Sequence, residues 1–122
     1  VNLVKLLETI NNRIEFLLDK DHLIGHSYFL SINNIEDLKE VFKNNILPLL
    51  EEYFHNDYFN IQRVLGDNPE WEKNKELKII STNDEIDNAI FGGQIDGYEE
   101  NQIFKVREDF STKELFIAIY KK

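Results

Sequence analysis

The chain has no cysteine and no methionine, and only two of its 122 residues are proline and five are glycine. Without cysteine, disulfide bonds and thiolate chemistry are excluded, and this composition fits a reducing, cytoplasmic location. No apolar run is long enough to cross a bilayer, and no segment resembles a secretory signal peptide. Because the chain begins abruptly with Val1-Asn2-Leu3 and is apolar at once, we expect it to be cut from a longer protein.

Basic residues are also in short supply: 14 lysines and arginines accompany 23 acidic residues, which gives a formal net charge of -9. The basic residues are scattered among acids, so direct nucleic-acid binding by this chain alone is disfavoured. Hydrophobic residues make up 42% of the chain, with nine Phe, five Tyr and one Trp. This content is sufficient for a real core in a chain the size of one ordinary domain.

Apolar residues at helical spacing predict a helical bundle in the first two-thirds of the chain. Asn34 and Asp57 are suitable N-caps, Gly66 is a suitable C-cap, and Pro48 should kink or restart a helix because it lacks an N–H. The predicted helices cover residues 2–19, 35–46, 47–54 and 58–65.

After Pro69 the pattern changes to short apolar runs separated by turn residues. We predict strands at 77–81, 103–107 and 114–120, a short helix at 83–91, and pairing of the last two strands as a C-terminal β-hairpin. The predicted class is therefore α+β: a helical region of about four helices at 1–68, followed by a small α+β extension at 69–122.

The stretch DHLIGHSYF contains the residues that most resemble a chemical site. His22 and His26 are four apart, a spacing that suits a metal on a helix, but Gly25 interrupts the helix and Leu23 stands where HExxH has its glutamate. Ser27 beside His26 resembles a nucleophile with its base, yet adjacent side chains seldom point at each other. The simpler interpretation is two histidines that hydrogen-bond a loop.

Three further features have a simple structural explanation. The acidic run at 96–100 lacks calcium-loop spacing, and Gly92-Gly93-Gln94 has no following lysine or Ser/Thr and is typical of a turn. Trp71, between Glu70 and Glu72, is either an interaction hot spot or a cover over the edge of a small core.

Three segments together resemble a known family: NRIEFLLD at 12–19, DHLIGHSYF at 21–29 and ILPLLEEYF at 46–54. In their order and spacing they resemble the C-terminal lid region of McrB-type proteins, the AAA+ GTPase subunits of 5-methylcytosine-specific restriction systems. The resemblance covers about residues 2–67, and the last third carries no motif that we can place.

The resemblance implies that Gly25, His26 and Ser27 lie where other AAA+ lids carry a basic sensor of the terminal phosphate. No arginine stands there, so His26, the Ser27 hydroxyl and nearby backbone N–H groups are the candidate contacts to a phosphate or a neighbouring subunit. The alternative stays open: Gly25 only supplies a turn, and His26, Tyr28 and Phe29 anchor the loop to the core. His22, Tyr28 and Trp71 are candidate subunit contacts.

The resemblance also implies what this chain lacks. The 122 residues contain no G-x-x-x-x-G-K-[ST] loop and no acidic strand for magnesium, so we expect no catalytic residue, no metal site and no nucleotide hydrolysis by this chain alone. The complete protein is implied to use GTP or ATP with Mg²⁺, to form a homo-oligomeric ring, to contact DNA through other regions, and to act with a partner nuclease in DNA restriction.

Two rival functions stay open. One is a small acidic protein–protein interaction module, with Trp71 and the C-terminal hairpin as its contact surface and no nucleotide role. The other is a small hydrolase or metal enzyme centred on His22 and His26, which would need a cleft with a perturbed acid or base. A lid separated from its core should leave an exposed hydrophobic patch near residues 22–30, whereas an autonomous module should not.

Overall fold

The computed structural model describes residues 1–71, 73–82, 104–108, 110 and 112–121. Within these residues the chain forms five α-helices and a two-stranded antiparallel sheet, which confirms the predicted α+β class. The elements are α1 (Leu3–Leu17), α2 (Ile35–Val41), α3 (Leu47–Tyr53), α4 (Tyr58–Leu65), β1 (Ile80–Thr82), β2 (Phe104–Val106) and α5 (Lys113–Tyr120). Three 3₁₀ turns, at Lys20–His22, His26–Phe29 and Lys75–Leu77, and a π turn at Phe42–Ile46 connect or extend them.

The ends of the helices follow from local side-chain chemistry. The Asn34 side chain accepts a hydrogen bond from Asp37 N at the start of α2, and the Asp57 side chain accepts one from Phe59 N at the start of α4. Helix α4 ends at Gly66, whose φ of 70° is the left-handed conformation that glycine adopts without a Cβ penalty. The predicted caps are therefore confirmed.

Pro48 changes the shape of the second helical segment without ending it. Helix α2, the π turn and α3 follow one another without a break from Ile35 to Tyr53. In the π turn, Leu47 N donates to Phe42 O, five residues back instead of four. A wider turn directly before a proline relieves the missing N–H and the ring clash that Pro48 brings, so the helix continues.

The hydrophobic core draws on both parts of the chain. Leu6, Ile10 and Ile14 form the fully buried face of α1, which packs against α4 and α5. Phe42 and Phe116 meet edge to face with ring centroids 5.0 Å apart. The boundary between 1–68 and 69–122 stays a prediction.

The last element of the chain contradicts the sequence prediction. Residues 114–120 were predicted to be a strand of a C-terminal hairpin, but they belong to helix α5. Its buried residues are Leu115, Phe116 and Ile119, a helical spacing, because this run packs on α1 rather than beside a strand. Apolar β-branched and aromatic residues suit either structure, and tertiary packing decides.

The antiparallel pair is instead formed by β1 and β2, with Ile80 opposite Val106 and Ser81 opposite Lys105. The predicted strand at 77–81 begins later, at Ile80, after the 3₁₀ turn. The predicted helix at 83–91 and the loops at 92–93 and 96–97 lie outside the described residues. Among the described helices, none combines the length and apolar character that crossing a membrane requires.

Candidate functional site

The loop after α1 places Gly25, His26 and Ser27 at the surface, where all three are exposed. Gly25 has φ -72° and ψ 148°, an extended conformation open to any residue, and an added Cβ would meet Ser27 Oγ at an ordinary 3.6 Å. The turn itself therefore does not demand glycine here. Of the three residues in the anchoring alternative, Phe29 is buried, Tyr28 is half-buried and His26 is exposed.

Asn11 on α1 fixes the start of this loop. Its Oδ1 accepts a hydrogen bond from Ile24 N at 2.8 Å, and its Nδ2 donates one to Ile24 O at 2.9 Å. One side chain thus satisfies both the N–H and the C=O of Ile24. The Ile24 side chain is 3% exposed and belongs to the core. The residue directly before Gly25 is therefore held from two directions.

Asp19 organises the 3₁₀ turn that leads into the loop. Its Oδ1 accepts hydrogen bonds from Asp21 N at 2.9 Å and His22 N at 3.1 Å, and lies 2.6 Å from His22 Nδ1. Because a carboxylate can only accept, His22 Nδ1 carries the hydrogen. The side-chain hydrogen bond from His22 is the main cause that lowers the pKa of Asp19, with the two backbone N–H groups acting in the same direction.

His22 also forms part of a small aromatic cluster beside the loop. Its ring meets the Tyr53 ring edge to face, with centroids 5.0 Å apart. Partial burial, followed by the neighbouring Tyr28 and Glu52, raises the pKa of Tyr53. The structure therefore brings His22 and Tyr28, two of the predicted contact residues, to the end of α3. Among the described residues, no three His, Asp or Glu lie close enough together to hold a metal ion.

Trp71, the third predicted contact residue, belongs to a different neighbourhood. It is half-buried, and the Arg13 guanidinium carbon lies 4.9 Å from the centroid of its ring. Arg13 Nη1 also donates a hydrogen bond to Val64 O at 2.8 Å. Burial lowers the pKa of Arg13, and the negative charge of Asp67 opposes this shift. Trp71 thus lies beside α1 and α4, and its role as a subunit contact stays a prediction.

Asp67, just after α4, is a buried carboxylate that accepts three hydrogen bonds. It is 1% exposed and accepts hydrogen bonds at 2.9 Å each from Lys73 Nζ, Ile79 N and Ile80 N. Burial raises the pKa of Asp67 and lowers the pKa of Lys73, while the ion pair between them opposes both shifts. Asp67 thereby ties the end of α4 to the start of β1.

The sequence analysis missed both anchoring systems. Asn11 carried one usable signal: an asparagine in a helix interior is unfavourable unless its side chain has a specific partner. Asp67 carried no such signal. Nothing in its local sequence indicates that it binds Lys73 and the N–H groups of Ile79 and Ile80.

Within the predicted hydrophobic patch at 22–30, two large apolar side chains are exposed and two are buried. Leu23 and Leu30 are 40% and 75% exposed, whereas Ile24 and Phe29 belong to the core. The most exposed large apolar side chain among the described residues is Phe16, near the end of α1, at 90%.

The comparison with protein families gives one match. Residues 2–62 match the family model described as "McrB, alpha-helical lid domain", which spans half of the chain. The matched residues run from the N-cap of α1 into α4 and include the loop that Asn11 holds. No curated protein matches the chain significantly.

Proposed function

The chain belongs to the McrB lid-domain family, and from this premise we propose that it helps to close the nucleotide pocket of an AAA+ restriction motor. In this proposal the chain works beside a P-loop core, which supplies the chemistry with GTP or ATP and Mg²⁺. The lid contributes one wall of the pocket and passes motion to neighbouring subunits of a ring that acts on DNA with a partner nuclease.

The observation that carries the proposal is that side-chain hydrogen bonds hold the chain just before the exposed Gly25–Ser27 loop. The loop presents an imidazole, a hydroxyl and backbone groups to the outside, while Asn11 and Asp19 hold its approach from α1. Exposed polar groups on a fixed base can meet a phosphate or a neighbouring subunit at low cost in conformational entropy.

The charge of the chain limits what this loop contributes. At -9 overall, the chain repels the phosphates of a nucleotide at long range. Its contact must therefore be short-range and directional, and Mg²⁺ and the P-loop lysine of the core must offset most of the phosphate charge.

A matched pair of histidine substitutions tests the proposal. In a protein that joins this chain to a P-loop core, His26→Asn should raise the nucleotide KM about threefold to tenfold, the effect of losing one hydrogen bond. His55→Asn is the control, because His55 is also exposed and its φ of 51° is a conformation that asparagine tolerates. Equal KM values for the two variants would contradict a nucleotide-side role for the loop.

The second candidate is an acidic interaction module with no nucleotide role. In this candidate the 90% exposed Phe16 would be part of the protein contact, although a lid could use the same side chain. Nucleotide binding separates the two candidates. A lid should bind no nucleotide by itself but should raise the nucleotide affinity of the P-loop core. An interaction module should leave that affinity unchanged. Micromolar binding by the 122-residue chain alone would contradict the lid proposal.

A further inference from the structure

The Asn11 side chain forms a reciprocal pair of hydrogen bonds with the backbone of Ile24, like the pair that two facing residues form in an antiparallel sheet. The carboxamide accepts from the peptide N–H and donates to the peptide carbonyl of the same residue, at 2.8 and 2.9 Å. A carboxamide carries its acceptor and its donor side by side on one carbon, and glutamine, the other carboxamide, has a stem one methylene longer. Asparagine therefore fits this place in α1.

The same contact is costly for the helix that carries it. Asparagine is a poor helix former, and Asn11 lies between the fully buried Ile10 and Ile14 on α1. The two hydrogen bonds to Ile24 offset the low helix propensity of Asn11, whereas the neighbouring Asn12 is exposed.

Ile24 would stay attached to the core without Asn11. Its side chain is 3% exposed and belongs to the hydrophobic cluster. Asn11 binds both the N–H and the C=O of Ile24, and this fixes the direction in which the chain continues from Ile24 to Gly25. Fold stability and loop orientation are thus carried by different contacts of the same residue.

We propose that Asn11 is a positioning residue, which fixes the direction of the Gly25–Ser27 loop relative to α1 so that the loop moves with this helix. The proposal rests on the nucleotide-side role of the loop for its functional consequence. Its structural part, the fixed orientation of the loop, stands on the two hydrogen bonds alone.

The structural part is tested by hydrogen exchange on the 122-residue chain. Asn11→Ala is compared with Asn12→Ala, the same change at the adjacent exposed residue of α1, so that the gain in helix propensity is equal. Asn11→Ala should accelerate exchange of the Ile24 amide at least about tenfold, the effect of losing its acceptor. Equal exchange rates of Ile24 in the two variants would overturn the proposal.

The functional part is tested by a double-mutant cycle in the protein joined to a P-loop core. Asn11→Ala should raise the nucleotide KM, and in the His26→Asn background it should raise it no further, because Asn11 acts through the loop. KM effects that multiply in the double mutant would show that Asn11 acts elsewhere, and would overturn the proposal. If His26→Asn alone has no effect, the nucleotide role fails while the exchange result still decides the orientation.

A second variant keeps the test decisive if Asn11→Ala does not fold. Asn11→Asp retains an acceptor for Ile24 N but sets a carboxylate oxygen against Ile24 O, so it should raise the nucleotide KM. Asn12→Asp introduces the same charge one residue away and should leave the KM unchanged. Where His26→Asn does raise the KM, a KM for Asn11→Asp equal to that of Asn12→Asp would overturn the functional part of the proposal.

Discussion

Asp67→Asn should destabilise the protein more than any exposed charge change, because Asp67 is the sole carboxylate bound to a nearly buried ammonium in the described residues. The Lys73 side chain is 3% exposed and its Nζ lies 2.9 Å from Asp67 Oδ1. Asparagine has one acceptor oxygen, whereas the carboxylate uses both of its oxygens, one toward Lys73 and one toward Ile79 N and Ile80 N. In Asp67→Asn the amide NH₂ must then point at Lys73 Nζ or at Ile79 N and Ile80 N, which are all donors.

The magnitude follows from the charge left behind. Removing one partner of a buried ion pair costs about 3–5 kcal/mol, since the other charge stays desolvated and unpaired. A domain of this size is stable by about 5–15 kcal/mol, so the variant should lose a large share of its stability. Lys73→Met in the same background removes the stranded ammonium and keeps the length of the side chain. The double variant should therefore be more stable than Asp67→Asn alone, by about 1 kcal/mol or more.

Equilibrium unfolding in urea, followed by circular dichroism, measures these differences as shifts in the midpoint at constant slope. Asp21→Asn is the control, because Asp21 is exposed and the formal charge change is the same. The control should stay within about 0.5 kcal/mol of the unchanged protein. The reasoning is refuted if Asp67→Asn does the same, or if adding Lys73→Met destabilises the variant further.

Two other predictions concern side chains that report on their own surroundings. The hydrogen bond from Tyr58 Oη to Glu51 Oε2, followed by partial burial, raises the pKa of Tyr58 to about 12, so its stabilising effect is complete below about pH 10 and is lost as pH rises toward 12. Ultraviolet titration should show a tyrosinate step near pH 12 that Tyr58→Phe removes and Glu51→Gln moves down; an unchanged curve in both variants would refute this. Arg13→Met should shift the fluorescence of Trp71, the single tryptophan, to the red and cost about 1–2 kcal/mol by exposing the ring and leaving Val64 O unbound. Arg13→Lys keeps the charge but loses the guanidinium that lies over the ring, so it should give an intermediate shift. An unshifted spectrum for Arg13→Met would contradict the contact.

The features that could be predicted from the sequence are those that depend on residues close in the chain. The caps at Asn34 and Asp57 need only a side chain and an N–H group two or three residues away. The C-cap at Gly66 needs only the absence of a Cβ. The buried face of α1 needs only the helical spacing of its apolar residues. Each of these signals is complete within about two helical turns of the chain, so local sequence is enough to predict the feature.

The features that escaped prediction depend on distant residues. The run at 114–120 contains Leu, Phe, Ile and Tyr in an order that suits a strand as well as a helix, and its contact with α1, more than 90 residues earlier, selects the helix. The partners of Asp67 at Ile79 and Ile80 lie 12 and 13 residues away, and Asn11 and Ile24 are 13 apart. Side chains whose partners lie beyond the next turn carry almost no local signal. For this reason the sequence pointed to residues 25–27 but not to the hydrogen bonds between Asn11 and Ile24.

Helix α1 carries two side chains that bind distant backbone, Asn11 and Arg13, on different sides. Asn11 and Arg13 are two residues apart, about 200° around a helix, so they point in nearly opposite directions. Asn11 binds the backbone of Ile24 before the loop, and Arg13 binds Val64 O and lies over the Trp71 ring. A displacement of the loop that moves α1 must therefore also move the end of α4 and the residues that Asp67 holds. Short, partly buried hydrogen bonds leave little room for relative motion, so we expect the loop, α1 and the end of α4 to move together.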